Sequence, residues 1–372
     1  MSNTLLGGLS GEEFLRRHWQ SRPLLVRGAL AHFAGFVDLD LLLELATRED
    51  CESRLVLRAG RHWRVEHGPL SRRRLHALPP LGWTLLVQGV DRFVPQAREL
   101  LRRFDFVPRT RLDDLMVSFA PPGGGVGPHF DSYDVFLLQG SGRRRWQVSH
   151  QTDLALIDGE PLKILERFRP QGECILTPGD MLYLPPGWAH DGVAIDSCFT
   201  YSIGFRAPSR RELLSGFLAY LDETVPDDGL YSDRGLVRPR HPGAIDRRLV
   251  EYTAKALGAI RWGPADVIEF LGRHLTTPKP QVTFAEAAPL PLSAFARRAR
   301  QRGLTLAGGA RLAYHGSRAY INGESLAMRG RLKRAIVRLA DEQRLRGAEL
   351  PPGHGALRVL YRWYRNGYIE FA

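Results

Sequence analysis

Residues 118–146 read SFAPPGGGVGPHFDSYDVFLLQGSGRRRW, and the fold of the surrounding chain can be inferred from them. It alternates β-forming apolar segments with turns rich in glycine and proline, which is typical of short antiparallel strands. One strand ends in the glycine run 123–125, and a second turn at 140–142 forms a hairpin whose return strand carries three arginines. Between these turns, His129 and Asp131 stand two residues apart, so both side chains leave the same face of an extended segment. The stretch predicts a β-rich domain with polar groups gathered on one face.

A second histidine, His190, follows the strand and turn DMLYLPPGWA at residues 180–189. Two prolines and a glycine fix the backbone there, as a ligand-bearing turn requires, although ordinary turns do the same. Two imidazoles and one carboxylate form the facial ligand set of non-haem Fe(II) oxygenases, which leaves metal positions open for substrates. We therefore expect His129, Asp131 and His190 to be the metal ligands and the catalytic centre. Zinc, manganese or nickel would bind the same groups, so the pattern predicts a metal site more firmly than it predicts that the metal is iron.

The three arginines of the return strand differ in the face that they occupy. Successive strand residues point to opposite faces, so Arg144 faces away from Arg143 and Arg145. A buried arginine requires an anion, and its planar guanidinium matches a carboxylate with two parallel hydrogen bonds. We expect Arg144 to hold the distal carboxylate of a keto-acid cosubstrate, with Ser118 and Thr200 adding hydrogen bonds from neighbouring strands.

Three further residues are candidates for contact with the substrate. Tyr133 stands two residues after Asp131 and on the same face, so we expect it to wall the substrate pocket. Asp134 and Asp191 are candidate acids for pairing with a cationic substrate. Each carboxylate is equally well explained as an ordinary exposed or structural acid, and the sequence leaves that alternative open.

The bulk composition limits the class of protein. A chain of 372 residues predicts two or three domains, and 44% hydrophobic residues are enough for a buried core. No apolar run is long enough to span a membrane, and the first residues do not resemble a signal peptide. Three widely spaced cysteines favour a reducing compartment over a disulfide framework or a cysteine-type zinc site, so we expect a cytoplasmic protein.

The net charge of +12 raises the question of an anionic partner. The skew within the basic residues weakens a nucleic-acid interpretation, because only Lys163, Lys255, Lys279 and Lys333 are lysines and the other basic residues are arginines. An arginine-biased genome would give that skew in any of its proteins. Direct nucleic-acid binding is therefore an alternative that the composition allows but does not favour.

The pattern of elements divides the chain into three parts. Many short strands between about 23 and 205 indicate a double-sheet jelly roll, or double-stranded β-helix, at residues 1–207. A helical segment at 208–278 begins with a helix at 209–223 that has Ser209 as its N-cap. Residues 279–372 read as a winged-helix-like α+β domain, with a hairpin at 311–322, the turn Asn322-Gly323, and helices at 326–346 and 355–365.

Four motifs together resemble the bacterial Jumonji-C ribosomal oxygenases, in particular the ribosomal protein arginine hydroxylases. They are GGGVGPHFDSYDVF at 123–136, QGSGRRRW at 139–146, LYLPPGWAH at 182–190 and YSIGFRAP at 201–208. The resemblance implies a cupin-like JmjC domain that uses Fe(II), 2-oxoglutarate and O2 to hydroxylate the β-carbon of one arginine in large-subunit ribosomal protein sixteen. It assigns the iron to His129, Asp131 and His190, and 2-oxoglutarate to Arg144. It also implies a homodimer, formed by the helical segment, and a C-terminal winged-helix-like domain.

Two other functions stay open from the sequence. One is an oxygenase that hydroxylates a different residue, such as histidine, or that demethylates a side chain. The other is a winged-helix nucleic-acid-binding protein whose β domain is inactive, which an intact ligand triad and Arg144 disfavour. A basic enzyme acting on a basic ribosomal protein also requires local acidic patches, for which Asp113/Asp114 and Asp227/Asp228 are candidates.

Overall fold

The computed structural model describes residues 4–60, 62–226 and 229–372. They form two compact units. The first contains the chain up to Ala207 together with Pro278–Arg311 and Arg329–Ala372, and the second contains Pro208–Thr277 and Leu312–Met328. The expected three-part division stays a prediction: its boundary after 207 is also a boundary between the units, whereas residues 279–372 are shared between them. Asp227 and Asp228 lie outside the described residues.

Twelve strands build two antiparallel sheets in the first unit. They are β1 Leu24–Val26, β2 Ser53–Ala59, β3 His62–His67, β4 Trp83–Val87, β5 Leu112–Ala120, β6 His129–Phe130, β7 Asp134–Gln139, β8 Arg144–Ser149, β9 Gly172–Leu176, β10 Met181–Leu184, β11 Ala189–Ala194 and β12 Cys198–Phe205. The larger sheet has the order β1-β10-β7-β12-β5-β4-β2-β3, and the smaller one has the order β6-β11-β8-β9. This exchange of consecutive strands between two sheets confirms the predicted cupin-like jelly roll.

Helices cover the outer face of the larger sheet. They are α1 Gly11–Arg17, α2 Leu39–Ala46, α3 Arg72–His76 and α4 Pro95–Arg102, with 3-10 turns at Thr4–Leu6, Val90–Arg92 and Arg109–Arg111. A capping box starts α1, because Ser10 and Glu13 each accept a hydrogen bond from the other's backbone N–H. The N-cap fixes where the helix begins and brings Phe14 into the core.

Strand β7 shows how the larger sheet separates core from cavity. All six of its residues are buried. Phe136 and Leu138 pack into the helix-covered core, whereas Val135 and Leu137 belong to a second cluster between the sheets. Because both faces are apolar, side-chain alternation alone decides which residues reach the interior.

The remaining elements lie after Ala207. They are α5 Arg210–Thr224, α6 Arg247–Ala259, α7 Pro264–Thr276, α8 Leu292–Arg302, β13 Leu304–Leu306, β14 Leu312–His315, β15 Arg318–Ile321, β16 Glu324–Ala327, α9 Gly330–Glu342, β17 Arg344–Leu345, a 3-10 turn at Gly347–Glu349, α10 His354–Arg365 and β18 Ile369–Phe371. Ser209 caps α5 as predicted, since its side chain accepts from the backbone N–H of Glu212. Among the described residues, every helix is too short or too polar to span a bilayer.

The predicted helix at 326–346 was wrong at both ends. The segment begins inside β16, and α9 ends where Gln343 takes a left-handed conformation before β17. Asn322 and Gly323 both have positive φ, so the turn closes a two-residue hairpin and the chain continues as a strand. The Asn-Gly signal was read as a turn, but its preference for a following strand was missed.

Candidate active site

His129, Asp131 and His190 meet on the inner side of the smaller sheet. His129 on β6 lies opposite His190 on β11 in antiparallel register, and their ring centroids are 4.3 Å apart. Asp131 follows β6, and its Oδ2 lies 3.7 Å from His190 Nε2. The ligand atoms of the three residues all lie within 4.8 Å of one another. The structure therefore brings together the three groups that the sequence proposed as ligands.

The backbone orients both imidazoles. His129 Nδ1 lies 2.9 Å from the carbonyl oxygen of Gly127, and His190 Nδ1 lies 2.9 Å from that of Trp188. A carbonyl only accepts, so each Nδ1 carries the proton and each Nε2 presents its lone pair. Burial and, to a smaller extent, the neighbouring His129 lower the pKa of His190 to about 4, although Asp131 opposes the shift. His190 is thus neutral at physiological pH, as a metal ligand must be.

The donor set fits a non-haem iron. Two neutral imidazole nitrogens and one carboxylate, without thiolate, are the ligands of the facial triad. All three residues line one cavity of about 500 Å³, so the side of the metal opposite the ligands would face open space. That volume is within the range of small-molecule sites.

The inner face of the larger sheet forms the opposite wall of this cavity. Alternate residues of two neighbouring strands point inward: Asp114, Met116 and Ser118 from β5, and Thr200, Ser202 and Gly204 from β12. Thr200 and Ser118 are paired in register and are both buried. The two residues proposed to assist Arg144 therefore lie side by side in the cavity wall.

Arg144 reaches the same cavity from the smaller sheet. It is only 4% exposed, and its Nε and Nη2 atoms have no hydrogen-bond partner among the described residues. Its guanidinium lies 5.8 Å from the ring of Trp146, which in turn lies 5.9 Å from the ring of His190. Arg143, by contrast, is exposed and donates to Asp196 at 2.8 Å. A buried guanidinium with free donors beside the triad fits an anionic ligand.

Close glycine packing holds this wall together. A Cβ on Gly192 of β11 would lie 2.6 Å from the ring of Trp146, and a Cβ on Gly125 would lie 2.6 Å from the carbonyl oxygen of Gly192. The glycine run before His129 is the kind of segment that lets a backbone pass close to a ligand, and in the structure it lies close to the protein's own strand β11. Gly192 carried no signal that we used, although a glycine inside a strand often marks such an approach.

Of the three residues predicted to contact the substrate, only Tyr133 lines the cavity among the described residues. Burial together with the adjacent Asp131 raises the pKa of Tyr133. Asp134 does not meet the expectation: it is completely buried, and its carboxylate accepts from the Tyr183 hydroxyl at 2.6 Å and from Gln20 Nε2 at 3.1 Å. It precedes the inward Val135, so alternation turns it to the opposite face.

Asp191 also falls outside the cavity lining. It follows His190 on β11, and alternation turns its side chain to the other face of the smaller sheet. Burial raises the pKa of its carboxyl, and its Oδ1 has no hydrogen-bond partner among the described residues. The structure therefore gives Asp191 no place beside the triad.

Besides the ligand Asp131, two neighbouring acidic residues line the cavity, Asp113 and Asp114, and the inward-facing one is Asp114. Its Oδ2 accepts from Lys279 Nζ at 3.0 Å, and the amide nitrogen of Gln88, when turned toward it, lies 3.3 Å from both carboxylate oxygens. From the sequence, Asp113 and Asp114 were predicted only to form a local acidic patch. Neither Lys279 nor Gln88 was predicted to lie at the site. Arg54 was not predicted either; it lines the cavity, and its Nε has no hydrogen-bond partner among the described residues.

Comparison with known proteins agrees with this geometry. Residues 99–213 match the JmjC domain family, and residues 259–370 match the ROXA-like winged helix. The chain is 34% identical to the Escherichia coli (strain K12) ribosomal protein uL16 3-hydroxylase over 321 residues, 86% of each chain. The crystal structure of E. coli YcfD has a TM-score of 0.85 at 32% identity, and a YcfD complex with cobalt and 2-oxoglutarate has a TM-score of 0.80 at 33% identity, each over 98% of both chains. With the jelly roll, the His-Asp-His cluster and the buried arginine in one cavity, the chain belongs to the bacterial JmjC ribosomal oxygenases.

Proposed function

We propose that this chain is an Fe(II)- and 2-oxoglutarate-dependent oxygenase that hydroxylates the β-carbon of an arginine in ribosomal protein uL16. The observation that carries the proposal is the placement of a His-Asp-His cluster and an unpaired buried arginine in one cavity. Similarity to the E. coli uL16 3-hydroxylase over most of both chains supports the choice of substrate.

In this proposal His129, Asp131 and His190 hold Fe(II), and Arg144 holds the distal carboxylate of 2-oxoglutarate. Bound iron supplies the oxidative chemistry together with 2-oxoglutarate and O2. The chain binds and orients the reactants. Ser118 and Thr200 offer hydroxyls on the cavity wall, and the buried setting of Arg144 strengthens its pairing with a carboxylate because water is excluded.

The target arginine is proposed to enter at the other end of the cavity. Asp114 lies four residues from Ser118 along β5, which is about 13 Å at 3.3 Å per residue. The site thus has a cationic end at Arg144 and an anionic end at Asp114. A guanidinium paired with Asp114 and flanked by Tyr133 would point its aliphatic carbons back toward the triad. The carboxylate would also give a basic substrate a partner for pairing despite the net charge of +12.

This anionic end favours arginine over the alternative targets. A neutral histidine gains little from a carboxylate, whereas a guanidinium gains a charge-assisted, two-point hydrogen bond. A ribosomal protein substrate is consistent with a cytoplasmic site of action. We propose a homodimer as well, because Leu214 and Leu218 of α5 are 59% and 55% exposed and stand one helical turn apart.

The test is hydroxylation of a uL16-derived peptide by the purified protein. With Fe(II), 2-oxoglutarate, ascorbate and O2, we expect one added oxygen atom, located on the arginine by fragment-ion mass spectrometry. A peptide with lysine in place of that arginine and the Asp131→Ala enzyme are the controls. An active preparation that leaves the arginine peptide unmodified, or that modifies histidine or removes a methyl group instead, would contradict the proposal.

A further inference from the structure

The end of the cavity at Asp114 contains a cluster in which carboxylates and cations already balance each other. Three carboxylates and three cations of the described residues meet there: Asp91, Asp113, Asp114, Arg206, Lys279 and Arg311. Asp91 lies beneath the cluster and accepts from the backbone N–H of Leu115 at 3.0 Å. A substrate guanidinium would bring a fourth positive charge to a partly buried site, where unbalanced charge is costly.

The cations are shared unequally between the two neighbouring aspartates. Asp113 is paired with Arg206 at 2.9 Å, with Arg311 at 3.4 Å and with Lys279 at 3.2 Å. Asp114, the carboxylate in the cavity wall, is paired with Lys279 at 3.0 Å, and within the described residues no other cation forms an ion pair with it. Lys279 is therefore already bound to the Asp114 carboxylate, with which an incoming guanidinium would have to pair.

Lys279 is also the cation that can yield its place. An ammonium on a four-carbon stem is a mobile point charge, whereas a guanidinium holds a planar carboxylate in a fixed geometry with two hydrogen bonds. If Lys279 releases Asp114, it keeps Asp113 as a partner. The exchange would replace one hydrogen bond to Asp114 with the two of an arginine side chain.

We propose that Lys279 is the resident counter-ion of Asp114, that the guanidinium of the substrate arginine displaces it, and that this competition sets the apparent affinity for the substrate. The inference rests on the proposed function, because it takes Asp114 as the site for the arginine. Lys279 lies in the segment between α7 and α8, within the region that matches the ROXA-like winged helix. The C-terminal part of the chain would then control substrate entry to the JmjC cavity.

The surroundings of Asp114 give the competition a pH signature. Burial raises the pKa of Asp114, Lys279 opposes that shift and Asp113 and Asp91 add to it, so that the pKa is about 6. Arg206 and Arg311 act on Asp113, and Gln88 and Tyr133 face Asp114 as uncharged groups. Without Lys279 the carboxyl would hold its proton to a higher pH. A variant without Lys279 would therefore bind the substrate more tightly than the wild type at high pH, where Asp114 is charged, and more weakly at low pH, where Asp114 is protonated.

The test compares Lys279→Met with the wild type in hydroxylation of the uL16 arginine peptide. At pH 8.5 we expect the KM for the peptide to fall about five-fold, as for the loss of a competing charge pair, while kcat and the KM for 2-oxoglutarate stay the same. At pH 6 the order reverses, and the variant has the higher KM. Lys279→Arg should raise the KM above that of the wild type, because a guanidinium would hold Asp114 with two hydrogen bonds. Lys255→Met, on an exposed face of α6, should change nothing.

An unchanged or higher KM for Lys279→Met at pH 8.5 overturns the inference, provided that its 2-oxoglutarate binding is intact. Lys279→Gln keeps a hydrogen-bond donor without the charge and carries the same prediction if the methionine variant does not fold. A wild-type enzyme that leaves the arginine peptide unmodified contradicts the proposed function instead. If the wild type hydroxylates the peptide but the Lys279 variants show no change in KM, the proposed competition between Lys279 and the substrate is contradicted and the proposed function is not.

Discussion

His129 and His190 lie directly opposite each other across the antiparallel pair β6 and β11, with ring centroids 4.3 Å apart. Each ring is held by a hydrogen bond from Nδ1 to the carbonyl two residues before it. Both Nε2 atoms are therefore free to meet Asp131 at a common point. A slip of one residue between these strands would turn one imidazole to the opposite face, so the ligand set depends on the register of this short pairing.

Loss of one triad residue should abolish metal binding. We expect His190→Ala and Asp131→Ala to lose the visible charge-transfer band that Fe(II) and 2-oxoglutarate give under anaerobic titration, because two remaining ligands hold iron weakly. His241→Ala, in an exposed loop, is the matched control and should keep the band. A full band in either triad variant would contradict the assignment of the ligands.

Arg144→Met should separate cosubstrate binding from stability. The KM for 2-oxoglutarate should rise by at least about thirty-fold, since removing a buried charged partner costs roughly 2–5 kcal/mol. The ligand-free variant should unfold at no lower denaturant concentration than the wild type, because the lost guanidinium nitrogens Nε and Nη2 had no partner among the described residues. Arg143→Met removes an exposed arginine from the same strand and should leave the KM unchanged.

Binding of the arginine substrate should weaken as the pH falls through about 6. Burial raises the pKa of Asp114 to about 6, above its ordinary value, so the carboxyl is charged above that pH and neutral below it. We expect the dissociation constant of the arginine peptide to rise about ten-fold for each unit of pH below 6. A citrulline peptide and the Asp114→Asn variant should both lack this dependence, and its persistence in Asp114→Asn would assign it to another group.

Gly192→Ala should destabilise the domain and loosen the cosubstrate end. The added Cβ would lie 2.6 Å from the ring of Trp146, so either the ring or the strand must shift, at a cost of about 1–3 kcal/mol in the free energy of unfolding. Denaturant unfolding measures that cost, and the KM for 2-oxoglutarate should rise because Trp146 lies beside Arg144. Gly243→Ala has open space around its Cβ and serves as the control.

Tyr183→Phe should test whether Asp134 is structural. The tyrosine hydroxyl donates to the buried Asp134 and accepts from the backbone N–H of Gln20. Its loss should lower the free energy of unfolding by about 1–3 kcal/mol, because a buried carboxyl loses a partner. The KM for the arginine peptide should not change, and a marked rise in that KM would return Asp134 to the substrate site.

Much of the site followed from local patterns. The identities of His129, Asp131 and His190 were readable from strand and turn signals, and period-two alternation placed Arg144 on the buried face. The N-cap at Ser209 predicted where α5 begins. Asp134 was wrongly predicted to face the substrate. Both faces of β7 are buried, so the hydrophobic pattern does not show which of its residues point toward the cavity.

Local sequence patterns predicted most of the elements and the residue types that carry the chemistry, because both depend on neighbours close along the chain. Only the tertiary structure decided that β6 pairs with β11, that Asp114 and not Asp134 faces the cavity, and that Lys279 reaches Asp114 from a distant loop. Register, face and long-range ion pairs are set by packing against segments far away in the sequence, and no local pattern contains that information.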